Sequence, residues 1–351
     1  MQESFKNIIQ ALESERRTQE VTYSELAKRL GLQSPSAAKH ALDSSRNQTL
    51  DTITRIARAL GVDMRFELSR GKTTHFITFY NFAGGAAKTS SVRDIGYQLK
   101  ELGFKVLLVD TDPQANLSAW LGLELSPKDS RSLAHTIWPG IFGINGNPME
   151  DPSTYMLPEP QKTTHGLHII PSVITLSAID RVLPTADNGT LRLRNVLRKL
   201  RGYDFVLIDT PPSQASITSL ALNASEHVVV PVETNEKGAS GITGVIHAIN
   251  SHRVSNPNLT LLMLLRTRAN PVMRAARDIS RELGENAPVP VGTPLIERPA
   301  VYEAAVQMRA PIPALPNQKR YDDAKGEVRQ VTLELLDALG ATIKVGEGSH
   351  A

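Results

Sequence analysis

Apolar positions along this chain fall into two regimes. Through roughly the first sixty residues they recur every three or four positions, the spacing of helices with one buried face. Phe5, Ile8, Ile9 and Leu12 predict a first helix, and Thr22–Leu30 a second. Thr22 with Glu25 three residues on is a capping-box start, and Gly31 is a left-handed stop. Ser34-Pro35 opens a third helix running to about Leu42, because proline is tolerated in a first turn. A fourth, Leu50–Leu60, turns Ile53, Ile56, Ala57 and Leu60 inward before Gly61 ends it.

From Phe76 onward, continuous apolar runs of strand length alternate with helical patterns. The predicted strands are Phe76–Tyr80, the run Lys105–Asp112, Leu167–Pro171, Phe205–Asp209, Val228–Val232, Leu259–Leu265 and a short one near Val289–Thr293. Between them lie a helix from Lys88, with Val92, Ile95, Leu99 and Leu102 inward and Gly103 as its stop, and a basic helix at Thr190–Leu200. Such alternation predicts an α/β fold: a doubly wound, mostly parallel sheet with helices on both faces. A small all-α domain at residues 1–68 precedes it, the α/β domain spans 73–345, and Arg65–Thr74 connects them. A Pro/Gly-bearing stretch from about Glu124 to His165 reads as a lid or partner surface, or equally as an inert insertion.

Candidate chemistry sits where the first strand of the α/β domain gives way to its helix. Residues 81–91 read Asn-Phe-Ala-Gly-Gly-Ala-Ala-Lys-Thr-Ser-Ser. A strand, a glycine-containing turn and a helix opening with Lys-Thr direct backbone N–H groups and the positive end of the helix dipole at an anion. Lys88 would reach the β/γ-phosphates of a nucleotide, and the Thr89 hydroxyl would ligate Mg²⁺. Taken alone the match is weak, because Phe82 and Ala87 replace both glycines of the strict P-loop pattern. Asp110 and Asp112 end one buried run and Asp209 ends another. One such aspartate is commonly a turn or cap residue. Three beyond the carboxyl ends of parallel strands would converge on the Lys-Thr helix start.

These segments resemble a known family. Ala83-Gly84-Gly85-Ala86-Ala87-Lys88-Thr89-Ser90, Val109-Asp110-Thr111-Asp112-Pro113-Gln114-Ala115-Asn116-Leu117 and Ile208-Asp209-Thr210-Pro211-Pro212 are similar to three motifs of ParA-type DNA partition ATPases: the deviant Walker A, switch I and Walker B/switch II. The resemblance covers most of residues 73–340. It implies a magnesium-dependent ATPase, with ATP or ADP held by Gly84, Gly85, Ala86, Ala87, Lys88, Thr89 and Ser90. Adenine would lie near the loops after Leu265 and Thr293, with Pro294 the residue named there. The same resemblance assigns Thr89, Asp110 and Asp209 to the Mg²⁺ shell. Asp112 orients the attacking water in that scheme, against its plain alternative as a turn carboxylate. The family carries a signature lysine where this chain has Ala83, and that lysine reaches the partner subunit's phosphates in a nucleotide-sandwich dimer. Alanine supplies no cation, so the resemblance implies weakened dimerisation, impaired hydrolysis, or both. Ala87 in place of a usual glycine is a milder departure.

Leu26-Ala27-Lys28-Arg29-Leu30-Gly31 and Thr54-Arg55-Ile56-Ala57-Arg58-Ala59-Leu60-Gly61 resemble Cro/phage-repressor helix-turn-helix domains. On that likeness Gln33, Ser34, Ser36, Lys39 and His40 face bases or adjacent phosphates, while Arg46 and Asn47 hold the backbone. The competing reading is a helical dimerisation module that never touches DNA. A second basic cluster, Arg266, Arg268, Arg274, Arg277 and Arg281, puts its last three members on one helix face. That cluster is either a nonspecific DNA grip, as the partition family implies, or a solvated surface.

Composition narrows the field. At 351 residues, with 40% hydrophobic and 21% charged residues, the chain has room for two domains and a sizeable core. The absence of cysteine excludes disulfides and thiolate metal sites, and with them the iron–sulfur reductases of the same superfamily. A net charge of +3 permits nucleic-acid contact without demanding it. No apolar run approaches the roughly 20 residues that span a bilayer, and Met-Gln-Glu-Ser is not a signal peptide. A last helix near Glu327–Leu339 carries Glu334 and Asp337 and precedes a polar tail, which argues against a basic membrane-binding helix. The expectation is a cytoplasmic, nucleoid-associated ATPase that works as a homodimer with DNA and a ParB-like centromere-binding partner. The alternative is a nucleotide-gated transcriptional repressor of its own operon.

Overall fold

The computed structural model describes residues 2–44, 50–62, 64–68, 74–137, 157–186, 188–213 and 215–345. The side chain of Phe5, the loop residues Arg46 and Asn47, and the middle of the Glu124–His165 stretch lie outside the described residues. The chain divides into two compact units, residues 1–72 together with 336–351, and residues 73–335.

The first unit contains α1 (Gln2–Thr18), α2 (Tyr23–Leu30), α3 (Pro35–Ala41), α4 (Leu50–Ala59) and β1 (Met64–Leu68). The positions that periodicity selected, Ile8, Ile9, Leu12, Ile53, Ile56, Ala57 and Leu60, are buried, and Leu26 and Leu30 of α2 are buried with them. The Thr22 side chain accepts from Glu25 N at the start of α2, and Gly31 closes that helix at φ 68°. Ser34 caps α3 by accepting from Ala37 N, with Pro35 in the first turn. Glu13 organises one face of the unit, taking hydrogen bonds from Arg16, Arg17 and the Tyr23 hydroxyl.

Strand β1 falls inside the segment that the sequence presents as a connection. It pairs antiparallel with β10 (Ala341–Val345), Met64 opposite Val345 and Leu68 opposite Ala341. The carboxy-terminal segment therefore belongs to the first unit, whereas the sequence pattern extends the α/β domain to residue 345. Five-residue strands separated by more than 270 residues carry no local signal of their pairing.

The second unit alternates strand and helix: β2 (His75–Phe79), α5 (Lys88–Glu101), β3 (Val106–Asp110), α6 (Asn116–Trp120), α7 (Leu133–Ile137), β4 (Gln161–Lys162), β5 (His168–Ile170), α8 (Leu176–Val182), α9 (Arg192–Leu197) and β6 (Phe205–Asp209). It continues with α10 (Ser216–Ala224), β7 (His227–Glu233), α11 (Glu236–His252), β8 (Thr260–Thr267), α12 (Arg274–Asn286), β9 (Val291–Gly292), α13 (Pro299–Gln307) and α14 (Lys319–Ala338), in whose last turn the division falls. The helix expected over Thr190–Leu200 is a short 3₁₀ turn followed by α9, and α14 starts eight residues before Glu327.

Eight strands form one sheet in the order β4-β5-β3-β6-β2-β7-β8-β9, parallel throughout except for β4 against β5. The central strands β3 and β6 are buried at every position because both faces are covered. On one face Val206 and Ile208 pack with Leu107, Val109, Leu193, Ile217 and Leu220. On the other, α5 approaches closely through Gly96, where a Cβ would come within 2.7 Å of a Leu108 methyl. Register then fixes the chemistry: Asp110 lies directly opposite Asp209, and Phe79, the last residue of β2, flanks Asp209 on its other side. Three strand ends thus meet at one edge.

Two alanines precede the helices that open at that edge. Ala87 before α5 has φ 63°, and Ala115 before α6 has φ 54°. For a residue with a Cβ this left-handed conformation costs about 1–2 kcal/mol. Ala87→Gly is expected to stabilise the protein by about 0.5–1 kcal/mol in urea unfolding. Ala86→Gly, which removes a buried methyl from the adjacent position, is expected to destabilise it. Equal and same-signed shifts in the two variants would remove the strain argument.

Hydrogen bonds from Arg16, followed by those from Arg17 and Tyr23, hold the Glu13 carboxyl down at about 2 against the upward push of burial. A carboxyl depressed on folding contributes stability that is complete above its unfolded value near 4.5 and is lost as pH falls towards 2. Glu13→Gln is therefore expected to lower stability by on the order of 1–3 kcal/mol at pH 7. Denaturant unfolding should show the difference from wild type shrinking as pH drops from 4.5 towards 3.

Candidate nucleotide and DNA sites

The turn between β2 and α5 is tied down at both ends. Asn81 is buried, donates from Nδ2 to Pro231 O of β7 (2.7 Å), and accepts from Ala83 N (2.9 Å). Further along, the Thr267 hydroxyl of β8 donates to Ala86 O (3.2 Å), while Ser90 and Ser91 donate to Ala87 O. Gly85 stands at φ 84°, where an added Cβ would meet a Glu233 carboxylate oxygen at 3.1 Å. Lys88 is 6% exposed and folds back across the turn, its Nζ donating to Ala83 O (3.0 Å).

Beside this turn is a cavity of about 380 Å³ lined by Gly85, Ala86, Ala87, Lys88, Thr89, Ser90 and Asp112 on its floor. Asn116, Trp120, Thr210, Pro212, Arg268, Glu297, Pro299 and Tyr302 form its walls and rim. Every turn residue expected to cradle a phosphate faces it except Gly84, which borders a neighbouring cavity of about 440 Å³ together with Ala83, Lys237 and Gly241. Pro294 does not line the nucleotide-sized cavity. The loops expected near the base contribute Arg268, Glu297 and Pro299 instead, and Arg268 pairs with Glu297 (2.8 Å) at the rim. Patterning could not place these three at the cavity, because Arg268 and Glu297 lie on loops whose course depends on β8 and β9, and Pro299 opens α13 after them.

Lys88 and Asp112 line the cavity, Asp110 and Asp209 lie fully buried beside them, and burial dominates the chemistry of all four. Asp209 is fully buried, and neither carboxylate oxygen has a hydrogen-bond partner. Burial and then the facing Asp110 push its carboxyl well above the usual range, partly offset by the nearby Thr89 and Lys88. Burial also raises Asp110, to about 7, and Asp112. Lys88 is lowered by burial and held up by Asp209 and Asp112.

Asp110, expected in the metal shell, is held by the chain itself. Its Oδ1 accepts from Asp112 N (3.1 Å), and its Oδ2 accepts from Ser118 N (3.0 Å) and Ser118 Oγ (2.7 Å). Both oxygens thus help to fix the turn that carries Asp112. Ser118 Oγ accepts in turn from Ser172 N (3.0 Å), and Ser172 Oγ donates to Asp112 O (2.6 Å). Nothing in the local sequence marks Ser118 or Ser172, because their partners lie on other strands. The Asp112 carboxyl accepts from Gln114 N (2.9 Å) and faces the cavity.

The residues present fit a divalent ion. The Asp209 carboxyl, fully buried beside the Thr89 hydroxyl, ionises at a cost that a hard cation with oxygen ligands would offset.

The DNA-facing candidates separate into two groups. Gln33, Ser36, Lys39 and His40 are exposed around the start and outer face of α3, whereas the Ser34 hydroxyl is committed to capping. On α12, Arg274, Arg277 and Arg281 are exposed, and Asp278 pairs with both Arg274 (3.7 Å) and Arg281 (3.2 Å). Arg266 is engaged otherwise, donating to Gly292 O and Ser280 O.

Comparison with known proteins agrees with the fold. A family model described as "AAA domain" matches residues 74–261, more than half of the chain. The probable plasmid-partitioning protein ParA of Thermus thermophilus is 32% identical over 338 residues, covering 93% of this chain and 96% of that one. Among solved structures, cobyrinic acid a,c-diamide synthase from Mycobacterium smegmatis, with bound ADP and magnesium, superposes with a TM-score of 0.59 at 26% identity. That match covers 78% of this chain and all of the other. A plasmid partition protein from Borrelia burgdorferi bound to AMPPNP shares the fold with a TM-score of 0.58 at 19% identity, covering 75% and 99%. This chain belongs to the ParA/Soj-type partition ATPase family of P-loop NTPases.

Proposed function

We propose that the protein is an ATP-dependent DNA-segregation ATPase that binds magnesium and ATP in the cavity beside Lys88, contacts DNA, and forms a nucleotide-sandwich dimer. One observation carries this reading: Asp110 and Asp209 lie side by side at strand ends next to Lys88 and Thr89, with both Asp209 oxygens buried and unpartnered. A floor of this charge is unfavourable until a cation and a phosphate complete it.

Each side chain then has a distinct task. Lys88 exchanges the Ala83 carbonyl for phosphate oxygens, joined by the amides of Gly85–Thr89. Thr89 and Asp209 would hold magnesium, which supplies charge neutralisation on the phosphates when bound. Asp112 holds the attacking water, and Asp110 keeps Asp112 in place through the Ser118–Ser172 chain. Phosphoryl transfer needs little more than such positioning and charge stabilisation. Ala83 contributes only its backbone N–H and carbonyl to the turn, so the cross-subunit cation of the family is missing, and hydrolysis by this chain is slow. The assembly works with a ParB-like partner on nucleoid DNA.

A second reading, a nucleotide-gated repressor, has a specific observation behind it. The segment α2–turn–α3 exposes Gln33, Ser36, Lys39 and His40 together, as sequence-reading helices do. The two activities are compatible in one chain.

Ala83→Lys is expected to raise steady-state ATP turnover by about ten- to a hundredfold, the worth of one charge-assisted hydrogen bond of roughly 1.5–3 kcal/mol. Lys88→Ala should abolish ATP uptake in calorimetry. Unchanged turnover in the first variant would remove the dimer-lysine argument, and unchanged uptake in the second would remove the nucleotide site. For DNA, neutralising Arg274 or Arg277 should lower the slope of log affinity against log salt by about one each. Lys39→Ala should erase any discrete footprint; a footprint that survives it would exclude α3 as the reading element.

A further inference from the structure

The opposite end of the sheet holds a group of side chains with no part in nucleotide chemistry. His75 opens β2 and His227 opens β7, with Glu226 immediately before it. Because Ile77 pairs with His227, and side chains two apart on a strand share a face, His75 and His227 come together on one side of the sheet. Their rings are parallel to within 25° with centroids 6.0 Å apart. One ligating atom from each of His75, Glu226 and His227 lies within 4.8 Å of the other two. Among the described residues this is the one group of three potential ligands so arranged.

Aromatic stacking explains part of the cluster, since His75 also stacks on Phe205 at 5.5 Å. It does not explain the polar atoms. His75 Nδ1 is buried with no hydrogen-bond partner, a costly arrangement for a ring nitrogen. His227 Nδ1 lies 2.9 Å from Thr260 Oγ1, which fixes the ring and leaves Nε2 available, the outer-shell arrangement typical of metal-bound histidine.

We propose that His75, Glu226 and His227 form a binding site for one divalent transition-metal ion of the zinc class, clipping the starts of β2 and β7 together. Two imidazoles and a carboxylate are a recognised three-ligand zinc set that leaves a fourth position open to water. Zinc–ligand bonds of about 2.0–2.1 Å place ligand atoms about 3.4 Å apart, so side-chain rotations closing little more than an ångström complete the site. The clip acts where reinforcement is lacking, since the β2–β7 ladder has three pairs against five for β2–β6. β2 runs from this site straight into the nucleotide-binding turn, five residues or about 16 Å away.

The test uses full-length, untagged protein stripped with chelator and kept free of nucleotide. Titration with Co²⁺, followed by visible absorption and then by Zn²⁺ displacement, is expected to show one equivalent bound in tetrahedral geometry and a raised melting temperature. His227→Ala and Glu226→Gln should each weaken uptake more than tenfold; the exposed Glu226 change serves if the histidine variant does not fold. Asp209→Asn, at the other end of the sheet, should retain it. No stoichiometric uptake, or uptake lost in Asp209→Asn and kept in the other two, would overturn the proposal. Because nucleotide is absent, that failure would leave the ATPase reading untouched.

Discussion

Like charge held in a dry place is the constraint around which the second unit is organised. Asp110, Asp112 and Asp209 are brought to one sheet edge by parallel register, each at most 5% exposed. Burial raises all three carboxyls, and each raised carboxyl is a stored preference for a cation. Lys88 offsets only part of it, being itself lowered by burial. Thr89, the Gly85 turn and the surrounding cavity supply the remaining parts of a site made for a charged ligand with a metal.

The three carboxylates do not share one fate. Asp110 spends both oxygens on Asp112 N and on Ser118, Asp112 is held by Gln114 N while facing the cavity, and Asp209 spends neither. Division of labour here follows from hydrogen-bond supply rather than from distance to the phosphates. The helix α6 that follows Asp112 starts from a left-handed Ala115, as α5 starts from a left-handed Ala87. Both segments bordering the cavity thus begin in backbone conformations that alanine adopts at a cost.

The first unit rests on different forces. Its helices are joined by apolar burial and by local caps at Thr22 and Ser34, and Glu13 concentrates its polar contacts. Exposed Gln33, Ser36, Lys39 and His40 are therefore free of structural duty apart from the contact of His40, whereas Ser34 is not. A similar division holds on α12: Arg266 is absorbed by the sheet edge, while Arg274, Arg277 and Arg281 stay outside.

What the sequence by itself determined was everything with a short period or a local partner. The helices of the first unit, the buried strands, the helix opening at Lys88 and the aspartates at strand ends follow from spacing, because their cause lies within a few residues. Tertiary structure alone decided the rest. It paired β1 with β10 across most of the chain and drew the unit boundary at 335 instead of 345. It set Arg268, Glu297 and Pro299 at the cavity where Pro294 was expected, and joined Asp110 to Ser118. It also brought His75 to His227, 152 positions apart, through the parallel register of β2 and β7. These are contacts between residues distant along the chain, and no periodicity encodes which distant backbone will lie alongside.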